Sequence, residues 1–348
     1  MQTMLEPDPW QGSVCPYHEG FEWTHGLSNS KIYYAIFQQW PKLDLPQGYD
    51  YYIVGFNGEA VDLTWLQRQT SDNIICLFDG NDYGYALPNV TFLPFYYWHR
   101  QCRQLVEWFP LSRFKNIKYK VSSVCNRITQ SKLIAFATVM QTFAEKDRLV
   151  ILHNWLEEKS VHYRQPTGNV VLDNLSNYFY NNLLGLTINA EKFVNNNRHN
   201  ADPWTAIYQD CAVNLTNESF HYSLMQEQDL QYIHPGPYLT EKTFKCLVGA
   251  TAFLPIGQFD TYGTLSRLGF KFDYPWDMSW DQDAGNISRL EKIVYVIKSI
   301  NQYTALDLFE QTKESNIHNM NHIMSGDFFQ QCEHANANTI EKIYAIIK

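Results

Sequence analysis

The stretch PGPYLTEKTFKCLVGATAFLPIG, which runs from Pro235 to Gly257, constrains the fold more than any other part of the chain. Its proline-rich start predicts a rigid turn, and Thr240 is a residue type that caps helix N-termini. Apolar side chains then recur at helical spacing until Gly249, where we expect the helix to end. The AFLPI run that follows predicts a short buried strand.

The start of this helix has the properties of a phosphate site. The first N–H groups of a helix have no partners within it, and they carry a partial positive charge that attracts anions. Lys242 in the first turn adds a mobile full charge, and Glu241 can accept hydrogen bonds from a ribose or hold Lys242 in place. An ordinary capped helix with Glu241 and Lys242 in solvent explains the local sequence equally well.

The motif YLTEKTFK, followed by a helix end of small residues and the AFLPIG strand, resembles the donor-binding signature of fucosyltransferase-like glycosyltransferases. It is most similar to the soluble versions that phages, large viruses and some bacteria encode. The resemblance extends through LSRLGFKF, the acidic WDMSWDQD run and ESNIHN, and covers the first hundred or so residues poorly. It implies that four residues hold the nucleotide diphosphate of an activated sugar: Tyr238, Thr240, Glu241 and Lys242.

Two further donor-binding residues follow from the same resemblance. VSSVCNR before a predicted helix is weakly similar to the opening of the family's donor domain, which implies that Arg127 points at a diphosphate from a helix N-terminus. A guanidinium fork suits phosphate oxygens. In the family, a strand that ends in a Glu comes shortly before the Thr-Glu-Lys residues of the motif. The resemblance therefore implies that Glu218 binds hydroxyls of the sugar or the ribose. If the resemblance is set aside, a solvent-exposed position in a turn accounts for Arg127 at least as well as a binding role does. For Glu218 the alternative to a binding role is a solvent-exposed position in a loop.

Apolar strands alternate with helices in the first part of the chain. Strands are predicted at 50–56, 73–78 and 89–93, and helices over 31–40, 61–68 and 96–108. This alternation predicts a small parallel sheet, in which ligands bind at the carboxyl ends of the strands. Asp79 and Asp82 follow the second strand, so they are the predicted catalytic residues, in the role of general base for an acceptor hydroxyl.

The pattern resumes after a basic linker over residues 110–116. Strands are predicted at 119–124, 149–153, 170–172, 211–215 and 270–272, and helices over 131–143, 175–184, 262–268, 306–324 and 339–347, with one more from residue 286 or 288. We predict an α/β protein of two Rossmann-like domains facing a cleft, the GT-B arrangement, with C-terminal helices packing back. The N-terminal acceptor domain covers residues 1–115, and the C-terminal nucleotide-sugar donor domain covers residues 116–348.

Composition narrows the class of protein. With 348 residues, 45% of them hydrophobic, the chain is long and apolar enough for two ordered domains. A net charge of −9 weighs against extensive DNA contacts, although the basic residues between Arg100 and Lys132 leave room for a DNA-binding or anion-binding surface, or a solvated interdomain face. Seven cysteines without a CxxC motif predict free thiols and no zinc site. Without a signal peptide or an apolar spanning run, we expect a location in the cytoplasm of a bacterium or infected host cell, and no membrane partner.

The sequence therefore predicts transfer of a sugar from a nucleotide-diphosphate donor to an acceptor hydroxyl, and the resemblance implies an inverting, metal-independent reaction. The nucleotide sugar is a co-substrate, and no other cofactor is expected. Aspartates between residues 273 and 283 match no calcium-loop spacing, so a metal there is the minor alternative. The acceptor is a hydroxylated base in phage DNA, a surface glycan or a small molecule. A catalytically silent module that binds a nucleotide, a sugar or a partner is the alternative of a different class.

Overall fold

The structure is a computed structural model that describes residues 31–37, 44–56, 63–78, 86–96, 116–125, 129–152, 165–189, 207–218, 237, 239 and 241–347. Contacts divide the described residues into two units. The first unit holds those between 31 and 96 and those from 329 to 347, and the second holds those between 116 and 328 apart from Pro237. No helix within the described ranges is long and apolar enough to cross a membrane.

The first unit contains a parallel sheet whose four strands are neighbours in chain order. The strands are β1 (Ile32–Phe37), β2 (Tyr51–Phe56), β3 (Ile74–Phe78) and β4 (Val90–Pro94). One face of the sheet packs against Trp65 of helix α1 (Leu63–Arg68), and the other packs against Ile343 of the last helix, α8 (Asp327–Ile347). Burial on both faces explains why β3 reads as an unbroken apolar run rather than as an alternating pattern.

Polar side chains of α8 bind the end of β4. The backbone N–H of Tyr96 donates to Oδ1 of Asn336 at 2.8 Å, and Nδ2 of Asn336 donates to the Tyr96 carbonyl at 3.1 Å. The hydroxyl of Thr339 donates to the carbonyl of Pro94 at 2.7 Å. The C-terminal residues from Phe329 onward therefore complete the first unit, whereas the domain prediction assigned them to the second.

The second unit contains another parallel sheet, in the order β6-β5-β7-β8. The strands are β5 (Tyr119–Cys125), β6 (Arg148–Leu152), β7 (Cys211–Asn217) and β8 (Ala252–Ile256). The helices are α2 (Gln130–Thr142), α3 (Val170–Asn182), α4 (Glu241–Val248), α5 (Thr261–Arg267), α6 (Asn286–Ile300) and α7 (Ala305–Met324). Helix α2 packs against α3 and α6. Helix α4 packs against α7, and α4 and α7 each contact β7. Every residue of β7 is buried, as in a sheet that helices cover on both faces.

The two parallel sheets confirm the predicted α/β class, and six of the local strand predictions correspond to β2, β3, β4, β5, β6 and β7 within a few residues. The strand predicted for the AFLPI run is β8. The helix predicted over residues 31–40 is wrong, because Ile32–Phe37 form β1. Tyr33 packs in the core on the α1 side of the sheet, and Tyr34 packs in the core on the α8 side. The apolar side chains of this run therefore alternate between the two faces of a strand and do not line one face of a helix.

Two short strand predictions in the second unit are also wrong. The strand predicted at 170–172 is the first turn of α3, because Oδ1 of Asn169 caps it by accepting hydrogen bonds from the N–H groups of Val171 and Leu172. Residues 270–272 form no strand. There the side chain of Asn319 on α7 bonds to both the N–H and the carbonyl of Lys271, each at 2.7 Å, in place of a neighbouring strand.

Candidate functional site

The second sheet reverses its strand order at β5, which has β6 on one side and β7 on the other. Because all four strands are parallel, their carboxyl ends lie along one edge of the sheet. In open α/β sheets the crevice for a ligand lies at this edge, at the point where the strand order reverses. The candidate site is therefore at the ends of β5 and β7.

Glu218 follows β7 directly and faces the first turn of α4. Oγ1 of Thr243, a fully buried residue on α4, donates to Oε1 of Glu218 at 2.5 Å. The backbone N–H of Glu218 donates to the carbonyl of Ile256 at 3.2 Å, which extends the ladder between β7 and β8 by one residue. The predicted donor-binding carboxyl group is thus buried and fixed at the start of α4, not exposed in a loop.

The start of α4 agrees with the sequence analysis where the structure describes it. The helix begins at Glu241, and Lys242 is half-buried in its first turn. The other predicted site residues lie outside the described residues: Asp79, Asp82, Arg127, Tyr238 and Thr240, together with the side chain of Glu241. Of the predicted set, the structure brings together Glu218 and the helix that carries Lys242.

Buried polar side chains connect β5, β7 and α4 behind this edge. The hydroxyl of Ser122 donates to the carbonyl of Ile207 at 3.0 Å and accepts from Nδ2 of Asn214 at 2.8 Å. Oδ1 of Asn214 in turn accepts from the hydroxyl of Thr216 at 2.9 Å and from Sγ of Cys246 at 3.5 Å. Because each buried group has a partner, this chain of bonds sets the position of α4 on β7.

Asn217, the last residue of β7, lies between the ends of the two central strands. Its Nδ2 donates to the carbonyl of Val124 at 2.7 Å and to Oγ of Ser123 at 3.2 Å. Its Oδ1 is buried and has no hydrogen-bond partner among the residues that the structure describes. Since most buried polar side-chain atoms in native proteins have a partner, this oxygen requires an explanation.

Lys132 on the first turn of α2 brings a positive charge to the end of β5. The residue is only 5% exposed. Burial raises the pKa of the Cys125 thiol to about 11, and the ammonium group of Lys132 opposes that rise, so the two side chains are close neighbours. The first turn of α2 carries no acidic side chain, and the side chain of its N-cap residue, Thr129, makes no capping bond to the helix. A buried lysine thus lies beside the last residue of β5.

The described members of the predicted basic cluster do not form an exposed cationic surface. Lys118 pairs with Asp210 at 2.8 Å, and Lys120 lies 3.5 Å from Asp147. Lys132 is buried, which is incompatible with contact to a DNA backbone across solvent. The remaining members of the cluster lie outside the described residues.

A groove of about 600 Å³ lies elsewhere in the second unit, beside α5, with Tyr262, Phe272 and Asp281 among its lining residues. Asp281 is buried, and its two oxygens accept from the N–H groups of Tyr262 and Gly263, both at 3.1 Å. Its carboxyl group thus caps α5. Because the buried acid of this groove has a structural role, the end of β7 is the stronger candidate site.

The buried Asp281 predicts an unusual pH dependence of stability. Burial raises the pKa of Asp281 above its ordinary value. Its contribution to folding is therefore present in full below the ordinary aspartate pKa of about 3.9, and is lost as pH rises through the higher folded pKa. We expect that Asp281→Asn lowers the free energy of unfolding by an amount that shrinks as pH rises from about 4 to 7, measured by urea unfolding.

Asp260→Asn is the matched control for this prediction. Burial acts to raise the pKa of Asp260, but hydrogen bonds from Arg267 and Gln282 outweigh it and lower that pKa. A lowered pKa in the folded state gives stability that is lost as pH falls. The destabilisation by Asp260→Asn should therefore be nearly constant from about pH 4 to 7 and shrink only below about pH 4, and a decline with rising pH in both variants would contradict the assignment for Asp281.

The aspartates between residues 273 and 283 do not converge on one point. Asp277 accepts from the hydroxyl of Ser279 at 2.8 Å, and Asp283 pairs with Lys292 at 2.7 Å. Asp281 caps α5, as described above. Within the described ranges, no three or more His, Cys, Asp or Glu side chains are grouped so that they could hold a metal ion.

Two residues of the site, Thr243 and Asn217, are not among the residues predicted from the sequence. Thr243 lies four residues before Leu247, on the face of α4 that the apolar pattern marks as buried, and this spacing was a usable signal for a buried hydroxyl. Asn217 immediately precedes the predicted Glu218, but nothing in the sequence indicates which way its amide points.

Comparison with known proteins adds no family to this geometry. No protein-family model, no curated protein and no solved structure matches the chain. The resemblance to fucosyltransferase-like enzymes therefore rests on the YLTEKTFK motif and its surroundings, and the function that it implies is a hypothesis for experiment.

Proposed function

We propose that this protein is a glycosyltransferase that binds a nucleotide-diphosphate sugar at the carboxyl edge of its second sheet. The observation that supports it best is the buried contact between Glu218 and Thr243, which fixes a carboxyl group at the start of α4. In the proposal, Lys242 and the first N–H groups of α4 bind the diphosphate, with Arg127 from the end of β5. Glu218 and Glu241 bind hydroxyls of the ribose or the transferred sugar.

The proposed reaction is a single displacement with inversion. The oxygen of an acceptor hydroxyl forms a bond to the anomeric carbon while the bond from that carbon to the diphosphate breaks, and the hydroxyl proton passes to a carboxylate base. Negative charge develops on the leaving diphosphate, and fixed cations and N–H groups stabilise it. Lys242 and Arg127 have this role, whereas Tyr238 and Thr240 shape the diphosphate site.

The acceptor half of the proposal concerns the first unit. We assign the general base to Asp79 or Asp82, which follow β3, and we propose the GT-B arrangement, in which two α/β units face each other across the reacting groups. The acceptor is a hydroxyl of a glycan, a small molecule or a hydroxylated DNA base. The pairing of Lys118 and Lys120 with aspartates gives the DNA acceptor no support from this part of the chain.

Incubation with a panel of nucleotide sugars tests the proposal. We expect slow hydrolysis of at least one donor in the absence of acceptor, detected as released nucleoside diphosphate, and micromolar to millimolar binding of that diphosphate by calorimetry. Binding without hydrolysis would indicate the silent nucleotide-binding module instead. Absence of both binding and hydrolysis over the whole panel would overturn the proposal.

A further inference from the structure

The orientation of the Asn217 amide is fixed by its neighbours. Val124 offers a backbone carbonyl, which can only accept, so the amide group that faces it at 2.7 Å must be Nδ2. A flipped amide would place two acceptors against each other. The other amide atom is then Oδ1, and it is this atom that lacks a partner within the described part of the chain.

Asn214, on the same strand, provides an internal comparison. Its Nδ2 donates to Ser122, and its Oδ1 accepts from both Thr216 and Cys246. Within β7 the fold thus satisfies one buried asparagine at both ends of its amide. The other asparagine lies at the edge where a ligand is expected, and the described residues satisfy its nitrogen but not its oxygen.

A neutral oxygen of this kind selects the chemistry of its partner. A buried amide oxygen without a partner destabilises the protein, and a ligand that supplies a donor removes that cost. The diphosphate of a nucleotide sugar is esterified at both ends and fully ionised at neutral pH, so it offers only acceptors and is excluded as the partner. Among the parts of a nucleotide sugar, the neutral donors closest to the diphosphate are the hydroxyls of the ribose and of the transferred sugar.

We propose that Oδ1 of Asn217 accepts a hydrogen bond from a sugar hydroxyl of the bound nucleotide sugar, on either the ribose or the transferred sugar. This inference rests on the proposed function, and it names a residue that the YLTEKTFK motif does not contain. Asn217 adjoins Glu218, which Thr243 holds against the start of α4, so the hydroxyl contact and the diphosphate site are neighbours in the chain. Asn217 is then a substrate-binding residue that discriminates between hydroxyl and deoxy ligands.

A thermodynamic cycle tests the proposal by removing one hydroxyl at a time. The ligands are the diphosphates of uridine and guanosine with their 2′-deoxy and 3′-deoxy forms, and UDP-glucose with its 2-deoxyglucose form. Each pair is measured by calorimetry with wild type and with Asn217→Ala. We expect one pair to differ about tenfold in affinity with wild type, and to bind Asn217→Ala equally well. The ribose pairs and the glucose pair tell the two sources of the hydroxyl apart.

Asn214→Ala is the matched control, because it removes a buried asparagine from the same strand whose amide oxygen already has partners. Any displacement of α4 in this variant weakens binding of hydroxyl and deoxy ligands alike, so it should keep the tenfold difference between them. Equal effects of every deoxy ligand on wild type and Asn217→Ala would overturn this inference and leave the proposed function intact. Failure of wild type to bind these nucleotides and every nucleotide sugar of the panel above would overturn both.

A nucleotide-bound crystal structure of the unmodified protein covers the case in which Asn217→Ala does not fold. A ligand hydroxyl oxygen within about 3.0 Å of Oδ1 is the expected result. A bound nucleotide with water on Oδ1, or with Oδ1 still lacking a partner, would overturn the inference.

Discussion

Replacement of Lys242 by alanine is expected to weaken nucleoside-diphosphate binding by between about tenfold and 100-fold, because a hydrogen bond to a charged group contributes about 1.5–3 kcal/mol. The loss in turnover should be at least as large, since charge on the leaving diphosphate increases in the transition state. Lys242 is half-buried in the first turn of α4, where it adds to the positive end of the helix. Calorimetry and release of diphosphate measure the two effects.

Two further variants separate charge from general damage. Lys242→Arg keeps the positive charge and should recover part of the affinity, because a guanidinium also binds phosphate oxygens. Lys313→Ala removes a lysine from an exposed pair with Glu310 on α7 and should change neither quantity. Unchanged affinity and turnover in Lys242→Ala would disprove the proposed diphosphate site at α4.

Replacement of Gly269 by alanine should destabilise the protein by about 2–5 kcal/mol, the largest stability effect that we expect from one methyl group. Gly269 ends α5 with φ of +93°, a conformation that costs other residues about 1–2 kcal/mol. A Cβ there would also lie 2.8 Å from Nε2 of His322. That ring cannot retreat easily, because Nε2 bonds to the carbonyl of Leu268 at 2.7 Å and the ring packs edge-on against Phe270. Urea unfolding measures the change.

Gly326→Ala isolates the backbone part of this effect. Gly326, between α7 and α8, has a similar φ of +85°, but an added Cβ would meet nothing within 4 Å. We expect a loss of about 1–2 kcal/mol there. Equal losses in the two variants would mean that His322 moves without cost and that the steric argument is incorrect.

The sequence predicts a strand or helix correctly where its run of apolar residues fits only one type of secondary structure. The AFLPI run and the buried NIICLF run both form the expected parallel strands, because short apolar segments bounded by turns suit a sheet that is covered on both faces. The apolar run at 31–40 has two interpretations, since its spacing also fits a helical stripe. Pairing with β2 decides it, and that pairing is a tertiary contact which local sequence does not encode.

The failures elsewhere come from single polar side chains. Asn169 converts an apolar triplet into a helix start by capping it, and Asn319 replaces the neighbouring strand that residues 270–272 would need. The motif at α4 predicts the positions of Glu241 and Lys242, and the resemblance predicts Glu218 at the end of β7. The direction of the Asn217 amide depends on the Val124 carbonyl of another strand, which is a tertiary contact that the local sequence does not encode.

The way in which α8 completes the first unit has a consequence for how the protein is made. Tyr96 and Asn336, which hydrogen-bond to each other, are separated by 240 residues. At about 5–20 residues per second, a ribosome needs roughly 10–50 seconds to add the intervening chain. Throughout that interval the nascent sheet exposes Ile53, Ile75 and Leu77, the side chains that later meet Ile343. Early recruitment of a chaperone to the amino-terminal half, before the final helix has emerged, is the expected outcome in the cell.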